Sequence, residues 1–144
     1  MLFVYGTLQD ADVLRVILGR ELLASDMPAA VAPGFRAVRF PGRVYPALIA
    51  RADETAPGRV LLNLSHDDLA QLDAFEGDEY RRGEIGVVLA DGREARAFVY
   101  VTVADDLDLT DPWSLADWVA THKAQMMAET GETAVALRNR LSAL

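Results

Sequence analysis

Cysteine is absent from all 144 residues, which leaves oxygen and nitrogen to carry any covalent chemistry and removes disulfides and thiolate metal sites. Its absence fits a reducing compartment. Lysine is nearly absent: Lys123 is the only one among the 14 Lys and Arg residues, so no earlier lysine is there to form a Schiff base. Histidine occurs only at His66 and His122. The first lies beside Asp67 and Asp68 in the first turn of an expected helix, where the helix dipole is reason enough for acids. His122 falls on a helix of apolar spacing, so neither a metal site nor a cofactor is expected. No apolar run approaches the roughly 18 residues that span a bilayer, and no basic leader precedes Leu2. A soluble cytoplasmic protein is expected.

Positive charge is also scarce. Against 14 Lys and Arg stand 22 Asp and Glu, and a net charge of −8 argues against nucleic acid or an anionic membrane as partner. A small molecule fits better; the oligomeric state is not legible.

The length suits one domain spanning 1–144, with a core over 1–104 and a helical extension over 105–144. Leu2 to Tyr5 reads as a short strand, and Asp10 to Gly19 as a helix carrying Val13, Leu14, Val16 and Ile17, with Gly19 as its stop and one face against the sheet. Two strands are expected between Val31 and Ala50 about a Pro41-Gly42 turn. A polar turn over 51–57 and a further strand from Val60 to Leu64 follow. Ser65 and Asp68 form a capping-box start for a helix carrying Leu69, Leu72 and Phe75, stopped by Gly77. Glu84 to Ala90 and Arg93 to Val103 flank Asp91-Gly92 as a hairpin with a two-residue connection. In its second arm the small Ala95, Ala97 and Val99 alternate with Arg96, Phe98 and Tyr100, as in a barrel covered on both faces. Asp111-Pro112 opens a helix with Leu115, Trp118, Val119, His122 and Met126 at helical spacing, and Trp113 and Trp118 read as core anchors. Gly131 interrupts it, and a second helical pattern runs from Ala134 to Leu144. The expected fold class is α+β: a small mixed, barrel-like β-sheet flanked by short helices, with a C-terminal helical extension.

Two places carry candidate chemistry. Tyr5-Gly6-Thr7-Leu8 joins a strand to a helix, where N–H groups lack regular partners; it is either an anion cradle or a plain turn. Glu76 follows Leu72 and Phe75 at the last turn of a helix. It reads either as a solvated carboxylate or as a partly desolvated acid with its pKa raised above about 4.3. Glu79, beyond the Gly77 stop, is expected to point to solvent.

The opening Tyr5-Gly6-Thr7-Leu8, the later Tyr45-Pro46, and Leu72-Asp73-Ala74-Phe75-Glu76-Gly77 with Tyr80 and Arg82 together resemble the γ-glutamylcyclotransferase-like superfamily over roughly residues 2–103. Gln9-Asp10 stands where the γ-glutamylamine branch usually carries a basic residue. Pro46-Ala47-Leu48 and the two tail tryptophans are more similar to the plant avirulence-induced branch. The resemblance implies that Glu76 is the general acid/base of a cyclotransfer releasing 5-oxoproline and an amine, with no cofactor. It implies substrate contacts from Tyr5, Gly6, Thr7 and Leu8. Tyr80 and Arg82 fall on family positions that shape the pocket or hold Glu76, and Arg82 reads equally as a surface ion-pair partner. Tyr45 is a pocket aromatic or a core residue. A non-catalytic module binding a carboxylated metabolite, and a γ-glutamyl amide hydrolase, are the alternatives.

Overall fold

In the first strand, β1 (Leu2–Val4), the period-two alternation of side chains sends Leu2 and Val4 to one hydrophobic cluster and Phe3 to another. The first cluster lies beneath the helices and the second fills the barrel. The computed structural model describes residues 1–40, 46–102, 112–129 and 131. Four more strands complete the sheet: β2 (Ala29–Arg39), β3 (Pro46–Leu61), β4 (Tyr80–Leu89) and β5 (Glu94–Thr102). They close in the order β1-β3-β2-β4-β5, antiparallel throughout except where β1 runs parallel to β5. The expected mixed, barrel-like α+β fold is present.

The polar segment 51–57, expected as a turn, is instead the middle of β3, and the strand expected to run from Val60 to Leu64 is the end of the same strand, stopping at Leu61. Its polarity reflects exposure rather than a break. β2 pairs with both halves of β3, from Ala29 opposite Arg59 to Arg39 opposite Pro46. The register shifts between Pro33 and Phe35, where Gly34 takes a φ of +85° that few other residues tolerate. Pairing with β2 on either side, at Thr55 and at Ala50, carries the strand through residues 51–54, which fall in the register shift and have no opposite residue in β2. The expected Pro41-Gly42 turn lies outside the described residues.

The β4–β5 hairpin also differs. Leu89 and Arg93 share the closing bond, N–H to carbonyl at 2.8 Å, so the connection holds the three residues Ala90, Asp91 and Gly92. Gly92, at φ +89°, supplies the left-handed position that such a loop requires. In β5 the small Ala97 and Val99 face the interior, while Tyr100 is buried beneath the helices.

Helix α1 (Ala11–Leu18) starts on the Asp10 side chain, which accepts from the N–H groups of Asp12 and Val13, and stops at the left-handed Gly19. It buries Val13, Leu14, Ile17 and Leu18. Helix α2 (His66–Glu76) has the expected Ser65–Asp68 capping box. Arg20, just past α1, reaches Asp68 at 2.6 Å and so ties the two helices together. Burial alone would raise the Asp68 pKa, but the bonds from Arg20 and from the Ser65 N–H hold it below the ordinary range.

In the tail, α3 (Leu115–Thr121) begins three residues later than Asp111-Pro112 suggests, because Ser114 is its cap and Pro112 forms a bridge to Val38 of β2. Trp118 is fully buried and Trp113 packs partly against the same cluster. Val119 is exposed and His122 half-buried, so only part of the apolar spacing faces inward. Beyond His122 the residues 123–129 are helical, and Gly131 is helical where an interruption is expected. The pattern from Ala134 to Leu144 lies outside the described residues.

Gly58 marks the closest approach within the barrel. A Cβ there would lie 2.3 Å from the Val4 carbonyl oxygen and 2.8 Å from the Phe3 ring. Gly58→Ala is expected to destabilise the fold by about 1–3 kcal/mol, read as a lower denaturant midpoint; an unchanged midpoint would contradict this packing.

Candidate functional site

Where β1 ends, Tyr5 is buried against the barrel interior and its hydroxyl donates to the Tyr100 carbonyl at 2.7 Å. Burial, and then the nearby Glu76 charge, push the Tyr5 phenol far up, so it remains a neutral donor. The chain turns at Gly6 into a 3-10 turn, Thr7–Gln9. The turn is closed by the Gln9 N–H on the Gly6 carbonyl at 3.0 Å and the Asp10 N–H on the Thr7 carbonyl at 3.1 Å. The first N–H groups of such a turn have no earlier carbonyl in it to bond. At Gly6, a Cβ would meet the Pro46 ring carbons at 2.8 Å. Glycine is thus required at this position by Pro46 itself, before any ligand is considered.

Glu76 is the last residue of α2. Directly after it Gly77, at φ +65°, turns the chain out of the helix, and Tyr80 begins β4. This leaves Glu76 against the end of the barrel, where it lines a cavity of about 120 Å³. Such a volume holds several waters or a small organic group. Tyr5, Gly6, Thr7, Leu8 and Tyr80 line the same cavity. Residues 70 positions apart in the chain are therefore joined at one site.

Burial raises the Glu76 carboxyl from 4.5 to about 8, with the negative charges of Glu79 and then Asp73 adding to the effect. Glu79 is half-buried rather than directed simply to solvent, and its charge reaches the cavity. Tyr80 donates its hydroxyl to the Pro46 carbonyl at 2.7 Å, so β4 and the start of β3 are fastened across the cavity. Arg82 is not among the lining residues. Its guanidinium stands 3.5 Å from Asp73 and over the Phe98 ring, 4.9 Å from the centroid. Tyr45 lies outside the described residues.

Several participants escape sequence reasoning. Tyr100 lines the cavity and donates its hydroxyl to Asp73 at 2.7 Å. Its phenol is pushed far up, first by burial and then by the Asp73 bond. The only signal is its place among the large residues of an alternating strand. Asp73 lies three positions before Glu76 on α2, a helical neighbour identifiable from spacing alone. Met126 also lines the cavity, from the tail, and helical periodicity gives no hint of that. Among the described residues no group of three His, Cys, Asp or Glu side chains is placed to hold a metal. Asp68, two residues after His66, is instead paired with Arg20.

The family model described as gamma-glutamyl cyclotransferase, AIG2-like, matches residues 2–120. AIG2-like protein A of Arabidopsis thaliana is 35% identical over 128 residues, covering 87% of this chain and 75% of its own. The solution structure of the Arabidopsis thaliana protein At5g39720.1 superposes with a TM-score of 0.68 at 33% identity, covering 89% of this chain and 85% of its own. A structure titled gamma-glutamyl cyclotransferase aligns over 71% of this chain and 65% of its own with a TM-score of 0.58 at 14% identity, a likeness of fold alone.

The raised Glu76 pKa has a consequence for stability. Between about 4.5 and about 8 the folded state holds a proton that the unfolded chain releases. Its favourable contribution is complete below 4.5 and is lost as pH rises through 8. Urea midpoints of the native protein and Glu76→Gln, compared at pH 5 and pH 8, should therefore shift in the variant's favour at pH 8. An equal difference at both values would contradict the raised pKa.

Proposed function

The chain belongs to the gamma-glutamyl cyclotransferase, AIG2-like family, and on that premise we propose that it converts a γ-glutamyl substrate into 5-oxoproline and a free amine, with Glu76 as general acid/base. The observation that carries this reading is the Glu76 carboxyl, raised to about 8 in a cavity shared with the Tyr5–Leu8 turn. A carboxylate at its ordinary pKa is a poor match for an ammonium group. Raised to about 8, it can take a proton from one and later return it.

The substrate's glutamyl carboxylate sits on the N–H groups of the turn, with its α-amine toward Glu76. Glu76 removes a proton from the α-ammonium, and the freed nitrogen attacks the γ-carbonyl carbon of the same molecule. A ring C–N bond forms as the original amide C–N bond breaks. The attacking ammonium loses two protons in all and the departing nitrogen gains two, becoming an ammonium, so no water is consumed. Because nucleophile and electrophile belong to one molecule, holding the substrate curled supplies much of the rate. Tyr80 and Tyr100 wall the cavity, and Arg82 acts at one remove through Asp73, a carboxylate whose charge raises the Glu76 pKa.

Incubation with γ-glutamyl amino acids and γ-glutamyl amines, followed by mass spectrometry, tests this. 5-Oxoproline should form with the native protein, and Glu76→Gln should lower turnover on the order of a hundredfold or more. Glutamate instead would make water the nucleophile, and ligand-induced stabilisation without product would make the chain a binding module. With an active substrate, kcat/KM should climb as pH rises toward about 8, where the free enzyme's Glu76 becomes a carboxylate. A profile already flat above pH 5 would remove Glu76 from the role of base.

A further inference from the structure

The family match stops at residue 120, yet beyond it Met126 lines the cavity and Lys123 holds the cap of the helix that follows the turn. Lys123 places its ammonium 2.9 Å from Asp10 Oδ2 and 2.8 Å from Asp12 Oδ2. Asp10 is the cap of α1, and its N–H closes the 3-10 turn on the Thr7 carbonyl. The same residue thus both finishes the turn and is held by the tail. The Asp10 and Lys123 side chains are 10% and 24% exposed, so the contact is sheltered rather than a free surface pair. Three positions along, on the same side of the helical stretch 123–129, Met126 lines the cavity.

We propose that this helical stretch is a clasp completing the substrate site, in which Lys123 is a positioning residue for the turn and Met126 sets specificity by packing on the departing amine. The proposal rests on the cyclotransferase reading above. The glutamyl half of any such substrate carries a carboxylate and an ammonium, which match the N–H groups of the turn and Glu76 and gain nothing from an apolar wall. Only the substituent on the departing amine is free to be apolar. Met126 and Phe75 offer it a soft, adaptable surface, since both pack on the cluster beneath the helices. The substrate class is therefore a γ-glutamyl amide of an aliphatic or aromatic amine without a carboxylate of its own.

The test uses γ-glutamyl n-alkylamides from methyl to hexyl, with γ-glutamylalanine as the carboxylated counterpart, and reads kcat/KM for 5-oxoproline release. The native protein should gain about fourfold per added methylene until the wall is covered, and should prefer the longer amides to γ-glutamylalanine. Met126→Ala should reduce kcat/KM for the hexylamide at least tenfold more than for the methylamide, and Met126→Leu, which keeps the apolar volume, should restore most of the difference. Lys123→Met should raise KM several-fold across the whole series with a smaller change in kcat, and Lys123→Arg should recover it. Equal losses on short and long amides in Met126→Ala, or an unchanged KM in Lys123→Met, would overturn the clasp while leaving the activity intact. A preference for γ-glutamylalanine would overturn the amine class alone. Release of no 5-oxoproline from any of these compounds would overturn the activity itself, and the clasp with it.

Discussion

Closure of the barrel by β1 is the constraint on which the site depends. Leu2 to Val4 pair with β3 on one side, Leu2 and Phe3 pair with β5 on the other, and the turn at Gly6 follows with one residue between. A turn at the end of an edge strand would be free to move. Here both neighbours fix the strand, Tyr5 is anchored to the Tyr100 carbonyl, and Pro46 packs against Gly6. The turn is therefore held from the barrel side before α1 begins, and through Asp10 it is held from the tail side as well. Such preorganisation lets the turn stabilise charge without first having to be ordered by a ligand.

The second half of the site is electrostatic. Asp73, Glu76 and Glu79 lie within a few residues at the end of α2, where the helix dipole already disfavours negative charge. Tyr100 and Arg82 attend to Asp73, by a hydroxyl hydrogen bond and an ion contact respectively. Glu76 is the one carried into the cavity, and it retains its proton to about pH 8. Clustering several acids around one half-buried acid at a cavity wall is a direct way to give a carboxyl the proton affinity of an amine.

Much of this was legible in the chain because the signals are local. The Ser65–Asp68 box and the Gly77 stop each depend on residues a few positions apart, and each is seen as expected. The continuous β3 was hidden because β2 pairs with it on both sides of the polar residues 51–54 and carries the strand through them, and composition does not reveal that partner. The third residue of the hairpin loop was hidden for a similar reason, since Asp91-Gly92 suits both loop lengths and the register with β4 decides. At the site, motif residues on the turn and on α2 could be read, whereas Tyr100 and Met126 come to the cavity only through the closure of the barrel and the docking of the tail.

The most direct test of the account is the protonation of one side chain. Selective 13C labelling of glutamate carboxyls, with Glu76→Gln to assign the resonance, allows Glu76 to be titrated by NMR between pH 3 and pH 10. A midpoint near 8 is predicted from its burial and from the Glu79 and Asp73 charges. A midpoint near 4.5 would mean an ordinary solvated carboxylate, and the acid/base role assigned to Glu76 would fall with it.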